Sequence, residues 1–185
     1  MPRLGDDLIV AKTGIRAKLE PALPIFPRPP NRSTCILTDM TTQTKSTLIP
    51  SLRYRDALAA IEWLVQAFGF EKNAVYTTPE DEVAHAQLTY GGGMIMIGSV
   101  PRNSDYIRTH PSFFVQPDEI DLRETRGIYI VVPDADAVYE RAKAAGAKIE
   151  TEIRDMEYGG RAFTCRDPES HLWDIGTYDP WVHTS

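Results

Sequence analysis

The sequence of 185 residues predicts an α+β protein built from two βαβββ modules. A strand, an amphipathic helix and three further strands succeed one another within residues 47–100, and the same order returns within residues 127–180. Asp56 precedes Asp134 by 78 residues, and the Ile-Gly pairs that close the two modules are separated by the same offset. A common offset of independent landmarks indicates an internal duplication.

The first module opens with an extended run at residues 47–55 and continues with a predicted helix from Asp56 to Gly69. Asp56 is a favourable N-cap, apolar side chains recur behind it at helical spacing, and Gly69 supplies the stop. Three strand-like runs follow, separated by Pro79-Glu-Asp and Gly91-Gly-Gly as hairpin connections. These strands are predicted at residues 70–78, 82–90 and 94–100.

The second module repeats these signals. An apolar run at residues 127–133 precedes Asp134, which is predicted to cap a helix that reaches Ala144 and stops at Gly146. Each helix covers one face of its sheet and leaves the other face open, so two paired modules form a sheet-lined cleft suited to a ligand. The last three strands are predicted at residues 147–157, 161–166 and 170–178.

Composition limits the classes of function. The formal net charge is −6 and no apolar run approaches the roughly 20 residues of a spanning helix, so neither nucleic acid nor a membrane is a predicted partner. The charge is uneven, with +3 on residues 1–46 and −9 on residues 47–185, and the acidic part modestly favours a cationic ligand. Cys35 and Cys165 are too few for a disulfide framework and predict a cytoplasmic protein.

Two segments fall outside the modules. Six of the 14 prolines lie within the first 30 residues, and this spacing predicts that residues 1–46 are a poorly ordered extension. Residues 101–126 form a linker that is long for a compact domain. The linker contains three aromatic residues, Tyr106, Phe113 and Phe114, which a plain solvated connection would not need. It can be interpreted as a lid, as a subunit contact or as a flexible connection.

Seven short motifs stand in a characteristic order along the chain. They are Leu52-Arg-Tyr-Arg-Asp-Ala, Phe68-Gly-Phe-Glu, Ala84-His-Ala-Gln-Leu, Met94-Ile-Met-Ile-Gly, Ala144-Ala-Gly-Ala, Tyr158-Gly-Gly-Arg and Arg166-Asp-Pro-Glu-Ser-His-Leu-Trp. Together they resemble the vicinal oxygen chelate superfamily, in particular its glyoxalase/bleomycin-resistance-like branch. The resemblance covers residues 47–180 and implies the glyoxalase/bleomycin resistance/dioxygenase fold, a small-molecule ligand and a homodimer. The motifs are specific for the fold and not for an activity.

The metal enzymes of the resembled superfamily hold their ion with four His, Gln or Glu side chains, two from each module. Carried over onto this sequence, these positions fall at Ile49, Met96, Ile128 and Asp174. Three of the four offer neither an oxygen nor an imidazole ligand, and Met sulfur suits softer metals. The resemblance therefore implies a protein with no metal and no other cofactor, in which the four positions line a ligand cavity.

Further side chains on the same strand faces are predicted to contact the ligand. Ser51 and Arg53 share strand parity with the first of the four positions, and His85 and Gln87 alternate with small apolar residues suited to a helix-covered face. Asp174, a lone carboxylate with apolar neighbours, is a candidate general base or cation anchor. His85 is the second candidate base.

The motif Tyr158-Gly-Gly-Arg161 places two flexible residues between an aromatic ring and a cation, and both end residues are candidate ligand contacts. One interpretation is a loop that binds a carboxylate or phosphate through Arg161. The other is a glycine turn in which Arg161 pairs with Asp155 or Glu157, and the sequence slightly favours this turn.

The predicted function is metal-independent binding of a small, partly aromatic or cationic molecule between the modules. Such binding lowers the free concentration of the ligand without chemistry, as implied by the resemblance to bleomycin-resistance-like proteins. One alternative is a lyase, isomerase or hydrolase that uses Asp174 or His85 as its base. A second is a metal-dependent lyase or dioxygenase whose ligands lie at positions other than those assigned above.

Overall fold

The computed structural model describes residues 45–100, 109 and 115–182. This part of the chain contains two four-stranded sheets and two helices longer than two turns, which confirms the predicted α+β class and the pair of modules. The predicted extension, apart from residues 45 and 46, and the aromatic residues of the linker lie outside the described residues.

The first module follows the predicted order. Helix α1 (Ala57–Phe68) begins at Asp56, whose carboxylate accepts a first-turn N–H at 3.0 Å, and ends at Gly69 with a φ of 84°. The first strand starts later than predicted, after Pro50, because proline has no N–H to donate to the neighbouring strand. The Pro50 carbonyl still accepts a hydrogen bond from the Met96 N–H at 2.8 Å. The strands are β1 (Ser51–Tyr54), β2 (Glu71–Thr77), β3 (Val83–Tyr90) and β4 (Gly93–Ser99).

The second module repeats this arrangement. Helix α2 (Ala135–Ala144) begins at Asp134, whose carboxylate again accepts a first-turn N–H at 3.0 Å. Its strands are β5 (Ile128–Val131), β6 (Lys148–Asp155), β7 (Arg161–Arg166) and β8 (Leu172–Gly176). The sheet orders are β1-β4-β3-β2 and β5-β8-β7-β6, with β1–β4 and β5–β8 parallel. Strands β1 and β5 therefore occupy equivalent edges, as a duplication requires.

Each sheet has a face buried beneath the helices and an opposite face, called here the open face. On the central strands β4 and β8, Ile97 and Ile175 are buried, each at 1% exposure or less, among the side chains of the helices. Because side chains alternate along a strand, the residues next to them belong to the open face. In the first sheet these are Ser51, Arg53, His85, Gln87 and Met96, and in the second they are Tyr129, Thr164 and Asp174.

A buried carboxyl group joins the two modules. Asp167 is 4% exposed, and its Oδ2 accepts hydrogen bonds from the Tyr54 hydroxyl at 2.7 Å and the Trp173 indole N–H at 3.0 Å. Its Oδ1 accepts from the backbone N–H groups of Glu169 and His171, each at 3.0 Å. Burial raises the pKa of Asp167 above its ordinary value and outweighs these four donors. Burial also holds the pKa of Tyr54 well above its ordinary value, with Asp167 adding to the shift.

Further hydrogen bonds cross the same junction. The indole N–H of Trp63 on α1 donates to the carbonyl of Ala145 just after α2, at 2.8 Å. The Glu169 carboxylate accepts from the backbone N–H groups of Arg55 and Asp56, both at 2.7 Å. The modules thus share one core rather than two.

Cys165 lies in that core, and burial raises the pKa of its thiol to about 12. In a Cys35→Ser variant, alkylation of the native protein by iodoacetamide near pH 8 is expected to be at least about 100-fold slower than alkylation in denaturant, because the thiolate is the nucleophile. The measurement is the rate of mass increase in each state. Equal rates in the two states would contradict the buried position.

Among the described residues, no helix is long and apolar enough to cross a membrane. A short 3₁₀ helix, Pro117–Ile120, lies in the described part of the linker. Its Asp118 and Glu119 accept hydrogen bonds from the guanidinium of Arg55 at 2.8 and 2.9 Å, so this part of the linker is held against the end of β1.

Candidate functional site

Two clefts lie where the modules meet, and Pro50 and Ile128 line both of them. The first cleft has a volume of about 890 Å³ and lies between β5 of the second module and the β3–β4 connection of the first. Its size suits a drug-sized molecule. Its larger lining side chains are Leu48, Phe70, Tyr90, Met94, Tyr129 and Trp181.

The walls of the first cleft are mainly apolar and aromatic. The rings of Phe70 and Tyr90 pack against each other with 5.7 Å between their centroids. Tyr129 forms the opposite side, and its hydroxyl donates to the carbonyl of Tyr178 at 3.1 Å. Among the described residues that line this cleft, Asp179 is the one with a formal charge.

The second cleft has a volume of about 480 Å³ and lies between β1 of the first module and the start of β8 in the second. Its lining is more polar than that of the first cleft. Polar and charged side chains among its described lining are Ser51, Arg53, Gln116, Glu124, Arg126 and His171.

The duplication relates the two clefts to each other. Residues 128–131 of the first cleft correspond, at the offset of 78, to residues 50–53 of the second. Gly93 and Met94 of the first cleft correspond in the same way to His171 and Leu172 of the second. Each cleft therefore takes an edge strand from one module and the start of a central strand from the other.

Three of the residues predicted to contact a ligand line these clefts. Ser51 and Arg53 belong to the second cleft, and Ile128 lines both. Ile128 pairs in register with the buried Trp173, whereas Tyr129 pairs with Asp174, so Tyr129 is the side chain that shares the open face with Asp174. Tyr129 lies outside the set of residues predicted to contact a ligand.

Asp174 lies on the open face of the second sheet. Its Oδ1 accepts a hydrogen bond from the Thr164 hydroxyl at 2.6 Å, and Gly127 beside it has no side chain that would cover Oδ2. Burial raises the pKa of the neighbouring Tyr129, and the charge of Asp174 adds to this effect. Asp174 thus adjoins the first cleft through Tyr129.

His85 and Gln87 lie side by side on the open face of the first sheet. The Gln87 amide donates to His85 Nε2 at 3.0 Å, and its carbonyl accepts from the Asn73 amide at 2.7 Å. Tyr76 stacks on the His85 ring with 6.2 Å between centroids. With Nε2 accepting, neutral His85 carries its proton on Nδ1. Met96 lies next to Gln87 on this face.

The remaining predicted residues lie apart from His85. Arg161 binds Asp136 on α2 through two hydrogen bonds of 2.9 and 3.0 Å and Asp155 through one of 2.9 Å, which places it on the helix side of its sheet. Tyr158 is 59% exposed, and its ring packs edge-on against Tyr178 at 5.3 Å. Ile49 is partly exposed before β1.

The positions assigned to metal ligands do not form a donor set for a hard divalent ion. Met96 offers a thioether and pairs across the ladder with Ser51, and Asp174 supplies the one carboxylate. The hydroxyl of Tyr129 already donates to a backbone carbonyl. Within the described ranges, no group of three or more His, Cys, Asp or Glu side chains is arranged to hold a metal.

Comparison with known proteins gives three kinds of match. Residues 46–175 match the sequence family described as the Glyoxalase/Bleomycin resistance protein/Dioxygenase superfamily. An uncharacterized protein of Mycobacterium bovis is 30% identical over 129 residues, which cover 70% of this chain and 81% of the relative. An uncharacterized protein of Mycobacterium tuberculosis is also 30% identical over 129 residues, or 70% of this chain and 72% of the relative.

Solved structures show the same fold. TioX from Micromonospora sp. ML1 has a TM-score of 0.55 and 28% sequence identity, over 71% of this chain and 97% of that chain. A protein of unknown function from Agrobacterium tumefaciens has a TM-score of 0.53 and 16% identity, over 75% of this chain and 98% of that chain. At this lower identity the likeness concerns the fold alone.

Proposed function

The chain belongs to the Glyoxalase/Bleomycin resistance protein/Dioxygenase superfamily, and on that premise we propose that it binds a small aromatic molecule, neutral or cationic, in the first cleft. The ligand is held without a metal and leaves unchanged, so that binding lowers its free concentration in the manner predicted for bleomycin-resistance-like proteins. The function is sequestration rather than turnover.

The size and lining of the first cleft carry this proposal. A volume of about 890 Å³ accommodates a ligand of several fused rings, and Tyr90 and Tyr129 present aromatic surface from both modules. Aromatic faces also attract cations. Asp179 gives the described lining a negative charge, and Asp174 lies beyond Tyr129, so a protonated amine on the ligand is favoured over an acid.

The alternative activities have weaker support. Asp174 and His85 lie in different sheets, and each forms hydrogen bonds to a neighbour in its own sheet. The four positions assigned to metal ligands supply one carboxylate, which does not favour a metal-dependent lyase or dioxygenase. Base catalysis by Asp174 or His85 therefore remains a prediction with less support than sequestration.

Naphthylmethylammonium, a fused aromatic ring system with a cationic amine, is a suitable probe of the first cleft. It is expected to bind the full-length protein once per chain and to be recovered unchanged. Tyr129→Ala is expected to weaken its binding about tenfold, because the substitution removes one aromatic wall. Isothermal titration calorimetry measures the affinity, and mass spectrometry of the recovered probe checks for reaction.

Tyr76→Ala is the matched control, since it removes an exposed tyrosine from the open face of the first sheet, outside the described lining of the first cleft. Its affinity for the probe should equal that of the wild type. Equal weakening by both substitutions, or conversion of the probe to a product, would contradict sequestration in the first cleft.

We also propose that the protein is a cytoplasmic homodimer. Superfamily membership supports a dimer that binds small molecules, and the small number of cysteines supports a reducing compartment.

A further inference from the structure

We propose that the second cleft is an independent binding site for a small organic anion, a carboxylate attached to an aromatic or aliphatic body. This inference does not depend on the function proposed for the first cleft. It rests on the volume and the charged lining of the second cleft and on its correspondence with the first cleft, all taken from the described residues.

The duplication pairs positions of one cleft with positions of the other. The two clefts are built from corresponding strands, but the side chains at corresponding positions differ. Arg53 of the second cleft stands where the first has Val131, and His171 stands where the first has Gly93. The second cleft thus has polar groups at positions where the first has an apolar side chain or none.

The arginines give the second cleft the opposite electrostatic character. Arg53 and Arg126 both line it, whereas the first cleft has Asp179 and, among its described lining residues, no lysine or arginine. A guanidinium matches the geometry of a carboxylate and binds it through two parallel hydrogen bonds. The second cleft therefore selects an anion where the first selects a neutral or cationic molecule.

Arg53 is held in place by the strand beside it. Its Nη1 donates to the carbonyl of Ser99 at 3.3 Å, and it lies across Gly98, where an added Cβ would come within 2.1 Å of the same nitrogen. The absence of a side chain at Gly98 is thus what admits the guanidinium. A guanidinium carries five N–H donors in a planar fork.

The acidic residue of this cleft, Glu124, accepts one backbone hydrogen bond. Glu124 Oε1 lies 3.4 Å from the backbone nitrogen of Leu172 and 4.0 Å from His171 Nδ1. His171 in turn donates through Nε2 to the carbonyl of Arg53 at 3.0 Å. Gln116, only 2% exposed, adds an amide to the wall. The volume of about 480 Å³ limits the ligand to one or two rings.

Naphthoate, an aromatic carboxylate, tests the site when titrated into the full-length protein by calorimetry. Arg126→Gln alters an exposed side chain, and we expect it to weaken naphthoate binding about tenfold through loss of one charge-assisted contact. The double variant Arg53→Gln/Arg126→Gln is expected to abolish measurable binding. Arg154→Gln, which removes a positive charge from exposed strand β6, is the control and should bind as the wild type does.

Competition separates this proposal from the previous one. Protein saturated with naphthylmethylammonium should bind naphthoate with unchanged affinity, and Tyr129→Ala should leave naphthoate binding intact. The anion site is refuted by a lack of naphthoate binding up to roughly 10 mM, by equal affinities in the wild type and the Arg126→Gln variant, or by equal weakening in the Arg154→Gln control. Failure of the ammonium probe alone leaves the anion site standing and removes the function proposed for the first cleft.

Discussion

Asp167→Asn is expected to lower the free energy of unfolding by about 3 kcal/mol, because an amide has one acceptor oxygen for the four donors that converge on this side chain. Two of those donors, the Tyr54 hydroxyl and the Trp173 indole, are themselves buried and have no route to water. The Asn amide group would also place its own N–H donors against them. This loss is a large fraction of the stability of an ordinary domain.

Urea denaturation followed by tryptophan fluorescence measures the effect. Asp155→Asn serves as the control, because the Asp155 side chain is 82% exposed and its ion pair with Arg161 lies at the surface; its stability should stay within about 0.5 kcal/mol of the wild type. Tyr54→Phe removes one donor and leaves the other three satisfied, so a smaller loss of about 1 kcal/mol is expected. Wild-type stability of the Asp167→Asn variant would contradict the role assigned to this carboxyl.

The same substitution has a defined pH signature. Burial raises the pKa of Asp167 in the folded protein, so the folded state binds the Asp167 proton more tightly than the unfolded state does. Its contribution to stability is therefore greatest below the ordinary carboxyl pKa and declines as pH rises through the raised folded value. As pH rises from the ordinary to the raised pKa, the difference in free energy of unfolding between wild type and Asp167→Asn should shrink. A difference that grows with pH would contradict the raised pKa of Asp167.

Gly176→Ala is expected to lower the free energy of unfolding by about 2 kcal/mol through overpacking. The new Cβ would lie 2.5 Å from the Tyr129 hydroxyl, 2.9 Å from Ala162 Cβ and 2.9 Å from the carbonyl oxygen of Arg161. Two of these contacts are with a backbone atom and a Cβ, which cannot turn away. Because Tyr129 is displaced, binding of naphthylmethylammonium should also weaken.

Gly98→Ala, the corresponding change in the first module, gives a matched comparison. There the closest contacts are Nη1 and Cζ of Arg53, the end of a flexible side chain, so a loss below about 1 kcal/mol is expected. This substitution should weaken the binding of naphthoate and leave the affinity for naphthylmethylammonium unchanged. Chemical denaturation and calorimetry of both variants test this, and equal losses of stability would show that the two environments do not differ as described.

The fold could be predicted well because its helices begin at residues whose type and position are specific for an N-cap. Asp56 and Asp134 were identified as N-caps from residue type and position, and each side chain accepts a first-turn N–H. The resemblance to the superfamily, inferred from short motifs, is confirmed by the family match over residues 46–175. Strand boundaries differ by a few residues, as at Pro50, where pairing rather than composition decides where the strand begins.

The site was harder to predict, and Ile128 shows why. The run Ile128-Tyr-Ile-Val is apolar throughout, so it contains no alternation from which to assign faces, and a shift of one residue moves a side chain to the other side of the sheet. The pairing of Tyr129 with Asp174 settles the register. Phe70, Tyr90 and Trp181 come from distant segments, and tertiary packing alone brings them to one cleft.

The crossed construction of the clefts has a consequence for their symmetry. Neither half contains a complete cleft, since each cleft combines an edge strand of one half with the start of a central strand of the other. An ancestor with one module would have formed such clefts by pairing with its twin, and symmetry would have made both identical. In a single chain that symmetry does not apply, so Arg53 stands in one cleft while the corresponding position of the other holds Val131.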